Sequence, residues 1–245
     1  MTITKRISFI AASTTVAALM STSLFAATNT FTWDGDAGDN NVFTEANWDT
    51  GSGDPTADSI NPVGFHLQNT DLIVTNATGL THGNEGYWSV YNDGSVTFTN
   101  SAMDMSGHGF GNWKKEADNS RIASSWTFNN SDMTSNFIFN GALTMTGAST
   151  LILNDAGNPL NGSTVSITGS NVTIEFKSED VAAVTSEHLS KITVDGATAV
   201  IGTNVNLVDD STGNGAILTV IPVPEPATFA LLGLGGLLAI ARSKH

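Results

Sequence analysis

The run SVTFTNSAMDM, Ser95 to Met105, returns 30 residues later as SWTFNNSDMTS, Ser125 to Ser135. Ser95/Ser125, Thr97/Thr127, Phe98/Phe128, Asn100/Asn130, Ser101/Ser131 and Met103/Met133 are identical pairs. Apolar and polar residues alternate with period two in both copies, as a half-buried strand requires. An Asn then closes each strand. Asn tolerates the left-handed backbone of a corner, and its amide can stack on an equivalent amide one coil away. Short strands joined by such corners and repeated along the chain make up a parallel β-solenoid. The repeat therefore favours an all-β, parallel β-solenoid-like body. An antiparallel β-sandwich of the jelly-roll kind gives the same strand spacing and stands as the alternative.

The rest of the middle fits strands and turns. Strands are expected at Phe31 to Trp33, Leu72 to Thr75, Tyr87 to Tyr91, Leu143 to Met145, Leu151 to Leu153, Val165 to Ile167 and Val172 to Phe176. Phe137 to Gly141 is a looser echo of the repeat. Two last strands, Ala197 to Gly202 and Ala216 to Ile221, are expected to flank a turn at Asn206 to Gly215. One short helix is expected near 179–191, with Ser178 as its N-cap and Glu179 and Asp180 in its first turn. The helix dipole favours acids there. Val181, Val184 and Leu189 supply its apolar stripe.

Composition bounds the partners. The chain has 9 basic and 23 acidic residues, and 22 of the acids but only 5 of the bases lie between 27 and 223. Such a body has no basic patch with which to displace counterions, so nucleic acid is excluded as a partner. There are no cysteines, so the core must hold without disulfides.

The two ends carry addresses. Lys5 and Arg6 precede the apolar stretch Ile7 to Met20, and Ala26 or Ala27 offers a small-residue cleavage site. That is the order of a secretory signal peptide over 1–26, read by a Sec translocon. At the other end Pro224, Glu225 and Pro226 precede an apolar run at 227–241, then Arg242 and Lys244. Fifteen helical residues span about 22 Å, short of the roughly 30 Å hydrocarbon core. A transmembrane helix at 227–241 is still expected, with Arg242 and Lys244 snorkelling to a cytoplasmic interface. The two prolines hold the motif extended, so the helix cannot absorb it.

This tail, 224–245, resembles the PEP-CTERM sorting domain, also labelled the ice-binding protein C-terminal domain. The resemblance implies processing by a membrane-embedded exosortase-like enzyme. It further implies release from a transient inner-membrane anchor to the cell surface or extracellular matrix of a Gram-negative bacterium that makes exopolysaccharide. Near the other end, TWDGDAGDNNVFTEANWD is similar to an N-terminal segment of large bacterial surface proteins. Residues 27–50 are therefore expected to cap the first open end of an exported domain at 27–223, with Trp33 and Trp48 as plugs.

Candidate chemistry is thin. Asp34, Asp36, Asp39 and Glu45 partly follow the spacing of a Ca²⁺ loop. Gly38 and Asp39 break the pattern where it is strictest, so a solvated acidic loop is expected and Ca²⁺ is a weak candidate. His66, His82, His108, His188 and His245 show no metal-ligand spacing. His108, flanked by glycines, reads as an exposed loop residue. Trp113, Lys114, Lys115 and Arg121 could hold an acidic polysaccharide, but read more simply as a loop inserted between the two repeat copies. Thr97-x-Thr99 and Thr144-x-Thr146 resemble the threonine pairs of ice-binding solenoids, yet their unequal spacing implies no flat ladder. No catalytic set converges and no cofactor is called for. The expectation is a non-catalytic structural or interaction protein of the surface or matrix. A polysaccharide-binding or polysaccharide-degrading secreted solenoid is the alternative.

Overall fold

The computed structural model describes residues 29–42, 44–49, 64–68, 70–82, 87–91, 94–111 and 124–222. The signal peptide, Ala26, Ala27, the Pro224-Glu225-Pro226 motif, the apolar run at 227–241, Arg242, Lys244 and the Trp113 to Arg121 cluster lie outside them. Among the described residues no helix is long and apolar enough to cross a membrane.

Three sheets carry the described residues. Asn29–Trp33, Thr70–Thr75, Ser95–Thr99, Ser124–Asn129, Gly141–Thr146, Thr164–Thr168 and Ile192–Val194 lie side by side in the first. Leu80–Thr81, Ala102–Met105, Asp132–Ser135, Thr150–Leu153 and Thr173–Phe176 follow one another in the second. The third holds Gly64–Gln68, Tyr87–Tyr91, Phe110–Gly111, Ile138–Phe139 and Leu160–Asn161. All of these neighbours pair in parallel. Across the middle of the body each coil gives one strand to each face, and the next coil stacks on it. Among the described residues this is the topology of a solenoid, with no closed barrel and with few antiparallel pairs.

The repeat is the register. Ser125, Thr127 and Phe128 stand opposite Ser95, Thr97 and Phe98. Coil length is not constant, however. Equivalent residues on neighbouring coils are bonded at separations of 24, 30, 17, 22 and 27 residues. The 17-residue coil is the tightest, and the 30-residue coil carries the additional segment 112–123 between Gly111 and Ser124. Length differences fall between strands, because the inward side chains fix how strands align.

Those inward side chains form continuous columns. Leu72, Val96, Trp126, Leu143, Val165 and Ile192 make one on the first sheet, and all are buried. Val74, Phe98, Phe128, Met145, Ile167 and Val194 make the next. Rings meet edge-on along the axis, Phe98 on Phe128 at 5.5 Å and Trp88 on Trp126 at 5.5 Å. Such edge-to-face pairs contribute about 0.5–1.5 kcal/mol beyond area burial.

The corner after the first sheet needs special backbone. Asn76, Asn100 and Asn130 all have positive φ, and Gly147 and Gly169 take the same place in the next two coils. Asn100 Nδ2 donates to Asn76 Oδ1 at 3.1 Å, the coil-to-coil amide contact expected of these corners. One residue further in, a buried serine ladder runs up the axis. Ser101 Oγ accepts from the Ala77 amide, Ser131 Oγ from Ser101 and Ser149 Oγ from Ser131.

Both ends turn antiparallel. Trp48–Asp49 folds back on Trp33, and the two Trp rings meet edge-on at 5.2 Å. Trp48 Nε1 also donates to Val42 O at 2.9 Å, which holds its ring against Trp33. At the far end Ala197–Thr198 pairs antiparallel with Ile192–Val194, and the hairpin Val205–Asp209/Ala216–Val220 covers Thr173–Phe176. The edge strands so added to the first sheet, Trp48–Asp49 and Ala197–Thr198, are two residues long, too short to template much pairing with another chain.

Three sequence expectations are corrected. Asn206 to Gly215 is not a turn throughout: Val205–Asp209 is a strand because Val205 and Leu207 alternate into the core. The strand expected over Ala197 to Gly202 is only Ala197–Thr198, since Val200 to Asn204 form a tight turn around Asn204. The helix is Val181–Glu187, followed by a 3-10 turn at Leu189–Lys191, with Asp180 as its N-cap. Asp180 Oδ1 accepts from the Ala183 amide at 2.8 Å, while Ser178 Oγ donates to Asn154 O instead.

Candidate functional site

The acidic N-terminal loop is a turn system built on its own hydrogen bonds. Asp39 Oδ1 accepts from the Asn41 amide at 3.0 Å and Asn47 Nδ2 at 2.6 Å. Its Oδ2 accepts from Thr44 Oγ1 at 2.7 Å. These donors hold the Asp39 carboxyl below the usual carboxylate range, Thr44 contributing most. Asp34 Oδ1 accepts from the Asp36 amide, and buried Asn47 accepts from Ala37. Asp34, Asp36 and Asp39 do not join a convergent ligand group among the described residues. Asn47 is the residue that sequence reading missed; it organises the loop from inside.

The outer face of the first sheet is the second feature. Thr32, Ile73, Thr97, Thr127, Thr144, Ser166 and Thr193 follow one another in register. Thr75, Thr99, Asn129, Thr146 and Thr168 form a parallel column two residues along. A ladder of hydroxyl residues in register, which unequal sequence spacing argued against, is therefore present. Strand pairing erases the spacing, since insertions between coils leave strand register untouched. Rows of hydroxyls and methyls stand about 4.8 Å apart across strands. Two carboxylates reach this face near its first edge: Asp49 stands opposite Thr32, and Asp71, in the adjoining row between Thr30 and Ser95, accepts from Ser95 Oγ.

The third feature lies beside the helix. A cleft of about 610 Å³ is lined by Gly157, Lys177, Ser178, Glu179, Asp180, Ala183, Glu187, Thr212, Gly213 and Asn214. Glu179 is buried beneath it, and its Oε1 accepts from the Gly157 amide at 2.8 Å. His188 Nε2 lies 2.6 Å from Glu179 Oε2, with both side chains almost wholly shielded from solvent. The His188 ring stacks on Phe176 at 5.7 Å. Its Nδ1 is 3.3 Å from Lys191 Nζ, which also donates to Leu160 O at 3.1 Å. Burial pushes the His188 pKa down; Glu179 opposes this and Lys191 adds to it. Lys191 Nζ can donate to Nδ1 when that nitrogen carries no proton.

Sequence reading placed Glu179 in the first helical turn and gave His188 no partner. The fold joins them across the short helix Val181–Glu187, whose two ends they flank. His108 is likewise not an exposed loop residue: it is half-buried, its ring 4.6 Å from that of buried His82. No local spacing signals either pairing.

The comparisons bear on the tail. The family model for the PEP-CTERM protein-sorting motif matches residues 222–244. The chain thus carries an exosortase sorting signal and is an exported protein, sorted by way of a membrane-anchored stage. No curated protein and no solved structure matches the chain.

Proposed function

We propose that this chain is a non-catalytic interaction protein of the cell surface or extracellular matrix of a Gram-negative bacterium. In this reading a Sec translocon exports it. An exosortase-like enzyme then processes it at Pro224-Glu225-Pro226 and frees it from a transient inner-membrane anchor. The observation that carries the interaction role is the hydroxyl-rich outer face of the first sheet. It is repetitive and almost uncharged on a chain of net charge −14, which suits a repetitive, hydroxylated partner.

Exopolysaccharide is such a partner, and the same face supports the second reading, polysaccharide binding. Its hydroxyls offer donors and acceptors in a fixed array, while the methyls offer flat apolar contact. Co-sedimentation of the secreted protein with its host's exopolysaccharide tests this reading. The double variant Thr127→Lys/Thr144→Lys should lose most of the bound fraction while its unfolding midpoint stays put. Equal binding by both proteins, or none by either, contradicts a role for this face. Polysaccharide cleavage by the purified protein contradicts the non-catalytic assignment.

A further inference from the structure

We propose that Glu179, Glu187 and His188 form a binding site for a divalent transition-metal ion of the Zn²⁺ type. One ligand atom from each residue lies within 4.8 Å of the others, two carboxylate oxygens and a ring nitrogen. Glu187 is exposed and, like Glu179, lines the cleft, so an ion there would keep room for water.

The second observation is an unsatisfied pair of buried atoms. Although 2.6 Å apart, Glu179 Oε2 and His188 Nε2 are not aligned for a hydrogen bond, and neither has another hydrogen-bond partner. Their side chains are 4% and 0% exposed. Orphaned polar atoms at such depth cost free energy that a native fold avoids. An ion between them satisfies both. Ligands bound tetrahedrally at about 2.0–2.1 Å sit roughly 3.3 Å apart, so coordination would also open a crowded contact.

The supporting groups are held in place. Gly157 fixes Glu179 through Oε1, and Phe176 fixes the plane of the imidazole. One nitrogen and two carboxylates suit Zn²⁺ better than Ca²⁺, which prefers oxygen throughout. Two cations lie nearby. Lys177 is ion-paired with Glu175. Lys191 faces Nδ1, the ring nitrogen away from Glu179. Metal on Nε2 moves the ring proton to Nδ1, and Lys191 then keeps its bonds to Leu160 O and Asn158 Oδ1.

The full-length chain, purified in detergent without a histidine tag and stripped with EDTA, is titrated with Zn²⁺ by calorimetry and with Co²⁺ by visible absorption. One saturable site is expected, with d–d bands of a low-coordinate Co²⁺ ion. Glu187→Gln, on an exposed position, should weaken binding at least tenfold and leave the metal-free melting temperature unchanged. Glu179→Gln should abolish the bands. No saturable binding by a folded wild-type chain overturns the proposal, and so does binding that Glu187→Gln leaves intact.

Discussion

Thr97 and Thr127 stand opposite each other on neighbouring parallel strands, and Thr144 continues the row. The first step spans 30 residues and an equivalent next step spans 17, yet the side chains align. The outer face is thus a consequence of the inner one. Val96, Trp126 and Leu143 pack in a column, and the threonines one residue along have no choice of register.

The serine ladder should be a strong point of the fold. Ser131 is buried, accepts from the Ser101 amide at 3.1 Å and donates to Asn129 O at 2.9 Å. Ser131→Ala strands a buried amide, which costs about 1–3 kcal/mol. Urea denaturation should show a lower midpoint with an unchanged slope.

The N-terminal cap should respond in kind. Trp48→Ala removes an indole packed on Trp33 and its hydrogen bond to Val42. A loss of about 3–5 kcal/mol is expected. Limited proteolysis should then cut first in the opening coils, ahead of those beyond Ser124.

Acid should act on the last hairpin. Asp210 Oδ1 accepts from the amides of Thr212, Gly213 and Gly215 and from Thr212 Oγ1. These bonds, Thr212 Oγ1 first, hold its carboxyl below the usual range. A depressed pKa stabilises the fold above the unfolded value, and that stability is lost as pH falls through the folded one. Melting temperature should therefore drop below about pH 4. Asp210→Asn keeps an acceptor but does not titrate, so its acid limb should be shallower. An identical limb would count against this assignment.

Export gives a prediction read by mass. Intact mass spectrometry of the secreted protein should find a new N-terminus after Ala26 or Ala27 and no residues from 227 to 245. A secreted chain that still carries 227–245 would argue against exosortase processing.

Much was legible because it is local. Period-two alternation marks Ser95–Thr99 and Ser124–Asn129 as strands, and Asn100 and Asn130 mark their corners. Trp33 and Trp48 were readable as buried rings because large apolar side chains near the start of an all-β body need somewhere to pack. The sorting motif is linear and is read as sequence by its processing enzyme. The helix cap was misplaced because Ser178 and Asp180 are both competent and only geometry picks one.

The sequence alone therefore determined most of the strands, the corners, the acidic composition and the address, since each depends on residues close together in the chain. Tertiary structure alone decided which coil length is absorbed where, that threonines from unequal coils share one face, and that Glu179 meets His188 beside Glu187. Those outcomes depend on packing between distant segments. Side-chain columns set the register there, whatever the spacing along the chain.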